Sequence, residues 1–302
     1  MTSAILARPT FGQRLLGMWL AAAGFLRLLS QRPVGLIGFI GIVFFLLLAF
    51  VAPLFVPFQN DPSLVDIYQT PSPAHPLGTD FQGKDVLNQI VFGGRDILTV
   101  AILAALVSTL IAITFGSIAA VVGGKVDSTI LAITDVVLTL PKLILLIAVA
   151  AILRPTGFLF LAVLLGALQW SSLLRQIRSQ VLSLKERDYV EAARSLDLGI
   201  VHIVFREILP TMRSYIAIHF IFAMTEAMYA QVFIVILGLV PVSGSNWGIM
   251  LYFAQGQGAL YFRDSIWYIL SPILAISLVQ LSLVSFASAL EDIFNPRLRG
   301  SA

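Results

Sequence analysis

The residues with the potential for chemistry are few. Gly78-Thr-Asp-Phe-Gln-Gly83-Lys84 has the glycine and lysine spacing of a phosphate-cradling loop. The next residue is Asp85, where such a loop needs Ser or Thr to hold magnesium, and no buried strand precedes it. The stretch therefore reads as a structural turn, and no nucleotide site is expected on this chain. Two acids, Asp135 and Glu226, stand within long apolar runs, as does Lys142. A charge at the centre of a membrane helix costs about 2.5–3.5 kcal/mol on insertion scales, so each such residue is a candidate for function. Glu226 is read as either a cavity-lining contact for an amine or cation or a bond between helices. Asp135 is read mainly as a structural partner of backbone or of Lys142, which would lie two turns along the same helix face. Gln231 lies on a different face from Glu226 and carries little information. His75, His202 and His219 have no metal-ligand spacing, and the absence of cysteine removes thiolate chemistry and disulfides. No convergent nucleophile, base or metal set is present, which argues against a membrane-embedded enzyme.

What stands out is a concentration of charge. The chain is 58% hydrophobic and 12% charged, with a mean hydropathy of +0.94. Residues 175–213 nevertheless hold seven Lys/Arg and five Asp/Glu. Within them lies 188–210, DYVEAARSLDLGIVHIVFREILP. Asp188 followed by Glu191 predicts an N-cap with a capping box, opening a helix through VEAARSL. Tyr189, Ala192 and Leu196 recur at i, i+3 and i+7. Val190, Ala193 and, less well, Asp197 form a second stripe, and Arg187 and Arg194 flank a compact apolar side. Residues 199–209 read as a second amphipathic helix, stopped at Pro210.

The elements that must position these residues are membrane helices. Six segments are long and apolar enough to span: about Val34–Phe55, Ile97–Val122, Ile130–Leu153, Gly157–Leu174, Ile216–Val240 and Ile266–Ala287. Pro141 and Pro272 fall inside two of them and are expected as kinks. Residues 11–29, with Arg14 and Arg27, read as an amphipathic helix at the membrane surface rather than a cleavable signal. With the N-terminus inside, the cytoplasmic pieces 1–33, 123–129, 175–213 and 288–302 carry fourteen Lys/Arg. The opposite pieces, 56–96, 154–156 and 241–265, carry four. That bias puts both termini and 175–213 in the cytoplasm. Gly35, Gly38 and Gly41 predict a close helix contact in the first span. Trp170, Trp247, Trp267, Tyr261 and Tyr268 fall near span ends and are expected in interfacial belts. The fold class expected is an all-α integral membrane protein of six helices.

The 188–210 stretch resembles the cytoplasmic signature of permease subunits of ABC importers. That signature has a Glu-Ala-Ala triplet, a Gly four residues after the second Ala, and a closing Ile-Leu-Pro. Here these are Glu191-Ala192-Ala193 and Ile208-Leu209-Pro210, with Asp197 in the Gly position and Gly199 two residues on. HPLGTDFQGKDVLNQIVFGGRDIL (75–98), NWG (246–248) and EDIFNPRL (291–298), with Asn295 in an Asp position, resemble landmarks of the oligopeptide/dipeptide/nickel branch. IVILGLV (234–240) departs from that branch's usual run before Gly238. The resemblance implies a type I ABC importer permease fold, with a cytoplasmic N-terminal piece (1–33), a first span and outer loop (34–96), a permease core (97–290) and a tail (291–302). It implies a coupling helix comprising Asp188, Tyr189, Glu191, Ala192, Ala193, Arg194, Leu196 and Asp197, with the motif closed at Leu209 and Pro210. Asp135 and Glu226 would then be candidates for the translocation path. The implied partners are a sister permease, two ATPase subunits holding ATP and magnesium, an extracytoplasmic substrate-binding protein and membrane lipid, with no nucleic acid. The implied setting is a bacterial or archaeal inner membrane, and the cargo a peptide, nickel or an oligosaccharide. The competing reading is a self-sufficient secondary transporter or channel, which would predict an internal repeat and several mid-membrane sites. The sequence has no evident repeat. The implied coupling role predicts that Ala193→Arg abolishes uptake while leaving membrane insertion intact.

Overall fold

Small residues bring the first span into place. The computed structural model of the chain describes residues 11–58, 61–240 and 245–294. Helix α1 (Phe11–Ser30) leads through Gln31 and Arg32 into α2 (Pro33–Phe50), followed by a short 3-10 turn, Ala52–Leu54. The last helix, α11, runs Ile266–Phe294 with Pro272 inside it. On α2, Gly35 faces Ala289 of α11, and Gly38 and Gly41 face Ser282. A Cβ on Gly38 would sit 2.7 Å from the Ser282 carbonyl oxygen, closer than packed atoms allow. The glycine stripe therefore serves an antiparallel seam within the chain. Arg32 and Asp292 close its end at 3.5 Å. Leu29 is fully buried beside Ala289 and Ile293, and Phe25 meets Phe286 edge-on, which ties the end of α1 to this seam.

The centre of the bundle is α3 (Val86–Val122) against α6 (Phe158–Leu184). Gly166 lies on Ala104 and Val107, and Gly116 lies on Leu174 and Ile177, so the two helices run parallel. A parallel pair requires the intervening chain to cross back. It does so as α4 (Gly124–Thr139) and α5 (Lys142–Leu153), bent by 89° at the break. The expectation of a kinked but continuous helix at Pro141 is thus corrected. Leu140 is extended (ψ 132°), as the residue before a proline prefers, and Pro141 supplies no backbone N–H to continue the ladder. At about 1.5 Å per residue the two pieces measure about 24 and 18 Å, which together suffice to return across a bilayer. With α9 (Arg213–Ile236), the described residues hold five helices long and apolar enough to span, or six with the broken pair.

Two helices outrun their expected ends. α3 starts eleven residues early, at Val86, because Asp85 caps it by accepting from Asn88 N–H at 2.8 Å. α6 continues to Leu184, so the first ten residues of the charged segment are helix rather than loop. The turn ahead of α3 is structural, as expected. Gly78 and Gly83 adopt φ of +74° and +75°, against the Gln69 and Ser63 carbonyls, and His75 Nδ1 lies 2.9 Å from Asp85. The interfacial role expected for Trp247 and Tyr268 is corrected, because both are buried. Trp247 opens α10 (Trp247–Gly256), covers Gly93 and Gly94, and donates from Nε1 to the Ile90 carbonyl at 2.9 Å. Tyr261 and Trp267 do face outward.

Gly38→Leu is expected to lower the detergent melting temperature by several degrees, because overpacking a tight seam costs about 1–3 kcal/mol. Gly24→Ala, inside α1 with nothing within 4 Å, is expected to leave it unchanged or slightly raised, since alanine is the better helix former.

Candidate functional site

At the end of the bundle where α3 and α6 finish, the chain builds an elbow. Helix α7 (Asp188–Ser195) is followed by α8 (Ile200–His202), which passes directly into a π-helical stretch, Ile203–Ile208. The expected capping box does not form. Arg187 is the N-cap, with no side-chain cap, and Asp188 and Glu191 sit in the first turn, where their negative charge favours the N-terminal end of the helix dipole. Asp197 does take the left-handed conformation, with φ +54°. Leu198 N–H donates to the Ala193 carbonyl at 3.1 Å and Asp197 N–H to Arg194 at 2.9 Å, the two bonds of a Schellman closure. The glycine position is therefore filled by a residue that holds the same turn at some conformational cost.

The two apolar stripes have opposite fates. Val190 and Ala193 are buried, packed with Ile177 and Val181 of α6 and with Ile203, Ile208 and Met212. Tyr189, Ala192 and Leu196 point away from the bundle. Leu209 N–H bonds to the Val204 carbonyl, five residues back, which keeps Ile203, Val204 and Ile208 inward while Ile200, Val201 and Phe205 stay exposed. Pro210 lies in the turn that ends this helix before α9, as expected. Of the residues expected on one docking face, Ala193 is instead an internal anchor. Asp188, Glu191, Arg194 and Asp197 are exposed around its rim.

Charge pairs connect this end to the interior. Arg178 of α6 grips Asp127 with two bonds of 2.5 and 2.6 Å, Arg175 pairs with Asp135, and Lys142 Nζ lies 3.4 Å from Glu226 and from Ser172 Oγ. The partner of Asp135 is Arg175 and not Lys142, because the break at Pro141 carries Lys142 away from the α4 face. Lys185 Nζ donates to the Ala120 carbonyl and fixes the end of α3. The Lys142–Glu226 pair lines a cleft of about 490 Å³ between α5, α6 and α9, otherwise walled by residues such as Leu146, Leu165, Tyr229 and Phe233. A neighbouring polar cavity of about 300 Å³ shares Gln169 and Glu226 and adds Ser172, Gln176 and His219. Gln231 is buried, with its carbonyl oxygen unpartnered. The arginine partners went unrecognised because α6 was ended at Leu174. The i, i+3, i+7 run Leu174, Ile177, Val181, all buried, was the available signal. Among the described residues no cluster of three or more His, Asp or Glu could hold a metal. Asn295 and the tail motif beyond Phe294 lie outside the described residues.

Residues 112–300, which contain the elbow and most of the cleft, match the model of the family described as binding-protein-dependent transport system inner membrane component. The chain belongs to this family. Residues 22–71 also match the N-terminal transmembrane domain of oligopeptide transport permease C. Among relatives, a putative peptide permease protein of Brucella suis is 31% identical over 88% of each chain. The oligopeptide transport system permease protein of Bacillus subtilis is 28% identical over 95% of this chain and 92% of its own. The dipeptide transport system permease protein of that organism is 28% identical over 90% of this chain and 85% of its own. The family is a multi-pass membrane component of transport systems, in agreement with the helical bundle.

Asp197→Gly is expected to raise the melting temperature slightly, by relieving the left-handed turn. Asp197→Val is expected to destabilise the elbow by about 1–2 kcal/mol, read as faster proteolysis between residues 187 and 212.

Proposed function

We propose that this chain is one of two pore-forming permease subunits of an ATP-driven importer, and that α7 is its coupling helix. The observation that carries the reading is the elbow's division of labour. Val190 and Ala193 seat α7 on the bundle, and Tyr189, Ala192 and Leu196 continue into Ile200, Val201 and Phe205 as a free apolar face. Leu196 is 73% exposed and Val201 71% exposed, and a patch of this kind at a charged, water-facing end is suited to a protein partner. The partner proposed is an ATPase subunit in the cytoplasm, which holds ATP and magnesium, so that hydrolysis belongs to that subunit and this chain is not an enzyme. Closure of two ATPases would draw two such helices together and switch the bundle between inward- and outward-facing forms. An extracytoplasmic binding protein would deliver the cargo. The names of the relatives favour a peptide over nickel or an oligosaccharide. The charge bias of fourteen against four supports cytoplasmic termini.

Purification of the chain from native membranes in mild detergent is expected to bring down a sister permease and one or two nucleotide-binding subunits, identified by mass spectrometry. Ala192→Arg is expected to lose the ATPase subunits and to cut ATP-driven uptake about tenfold or more, with the melting temperature unchanged. Ala193→Arg is expected to lower the melting temperature as well, because that position is inside the protein. Full uptake by the Ala192→Arg complex would contradict the docking role.

A further inference from the structure

Lys142 and Glu226 meet at 3.4 Å, and both side chains line the α5–α6–α9 cleft. Two of the other pairs, Asp127–Arg178 and Asp135–Arg175, instead join α4 to α6. Lys142 stands at the first residue of α5, directly after the break at Pro141, so its stem extends from a helix end and not from the middle of a packed face. Glu226 is near the middle of α9 and also lines the polar cavity with Gln169 and His219. Two formal charges on a spanning face persist there by pairing with each other, with water or with a charged ligand, and their position on a cleft leaves all three open to them.

We infer that Lys142 and Glu226 form a charge-matching station for cargo that carries one positive and one negative end. The inference rests on the peptide-importer reading and adds the chemical class that the path accepts. At rest the two side chains neutralise each other. A zwitterionic peptide exchanges that one pair for two, its ammonium end to the Glu226 carboxylate and its carboxylate end to the Lys142 ammonium. Local neutrality is kept throughout. A cargo with one charged end satisfies one side chain and leaves the other unpaired in a cleft walled mostly by Leu, Phe and Tyr, where an isolated charge is strongly disfavoured. The station therefore discriminates through net balance and not through side-chain identity. That suits a path that must pass many sequences without holding any of them. Ser172, 3.4 Å from Lys142 Nζ, gives the ammonium a resting partner while the pair is open.

The test uses the complete transporter reconstituted in proteoliposomes with its binding protein, and three probes: trialanine, N-acetyl-trialanine and trialanine amide. The binding protein is the same throughout, so its own preferences cancel when ratios are compared between variants. Glu226→Gln is expected to raise uptake of the N-acetyl probe relative to trialanine roughly tenfold over wild type, and Lys142→Gln to do the same for the amide, as the loss of a charge-assisted contact would give. The exchanged variant Lys142→Glu/Glu226→Lys keeps neutrality and is expected to restore the preference for trialanine. Ratios that stay at wild-type values in both single variants would overturn the inference and leave the importer reading standing. A wild-type complex that hydrolyses ATP but carries none of the probes would instead overturn the peptide reading itself.

Discussion

Two small buried side chains, Val190 and Ala193, decide what the charged end of this protein can do. A helix of eight residues has little stability of its own in water, since nucleation consumes most of what its few hydrogen bonds return. α7 exists as a defined object because those two residues are packed on Ile177, Val181 and Ile208, and because the Schellman closure at Asp197 fixes its far end. The small side chain of Ala193 lets the helix lie close to the Ile203–Ile208 stretch. With the inner stripe occupied in this way, the outer stripe is presented as a fixed surface. Force applied to Ala192 or Leu196 passes to the Ile203–Ile208 stretch, and through the apolar cluster it shares with Met212, Ile177 and Val181 to the bundle, and such cores transmit displacement with little compression.

The same end is linked to the middle of the bundle by charge. The Arg178 and Arg175 pairs hold α4 against α6 on one side of the Pro141 break, and Lys142 reaches Glu226 on the other. The parallel run of α3 and α6 makes that break necessary as well as permitted, since the chain must recross the bilayer between them. A helix interrupted at a proline can change the angle between its halves while each half keeps its hydrogen bonds. The elbow, the ion pairs and the break are therefore consecutive parts of one side of the molecule, and the cleft opens where they end.

Much of this was legible in the sequence, because a membrane leaves few choices. The six apolar runs, the glycine stripe at 35, 38 and 41 and the turn before α3 follow from hydropathy, close approach and loop chemistry. Helix ends were less accessible. A hydropathy window closes at the first arginine, so the apolar run ends at Leu174 although the buried face of α6 continues to Val181. Arg175 and Arg178 therefore look like loop residues and not like partners of Asp135 and Asp127. The capping box failed because Arg187 already adopts the extended cap conformation, which leaves Asp188 inside the first turn. Two stripes lie on α7, the Tyr189 one more regular than the Val190–Ala193 one, and periodicity alone does not say which faces the bundle, so the inward position of Ala193 is not legible from it. Trp247 and Tyr268 look interfacial by position, yet α10 folds back over α3 and buries them, a tertiary choice that no local pattern records.

The claim on which the account rests is that α7 moves with its own bundle as one body. Because the chain has no cysteine, cysteines at Ser195, which is exposed on α7 but outside the proposed docking face, and at Ser128 can carry spin labels without competing sites on this chain. The distance between them is best measured by pulsed electron resonance in the assembled transporter, without nucleotide and with ATP trapped. An unchanged distance distribution in the two states is the expected result. A shift approaching one helical turn, about 5 Å, would mean that α7 slides on α6 instead of carrying it, and would contradict the account.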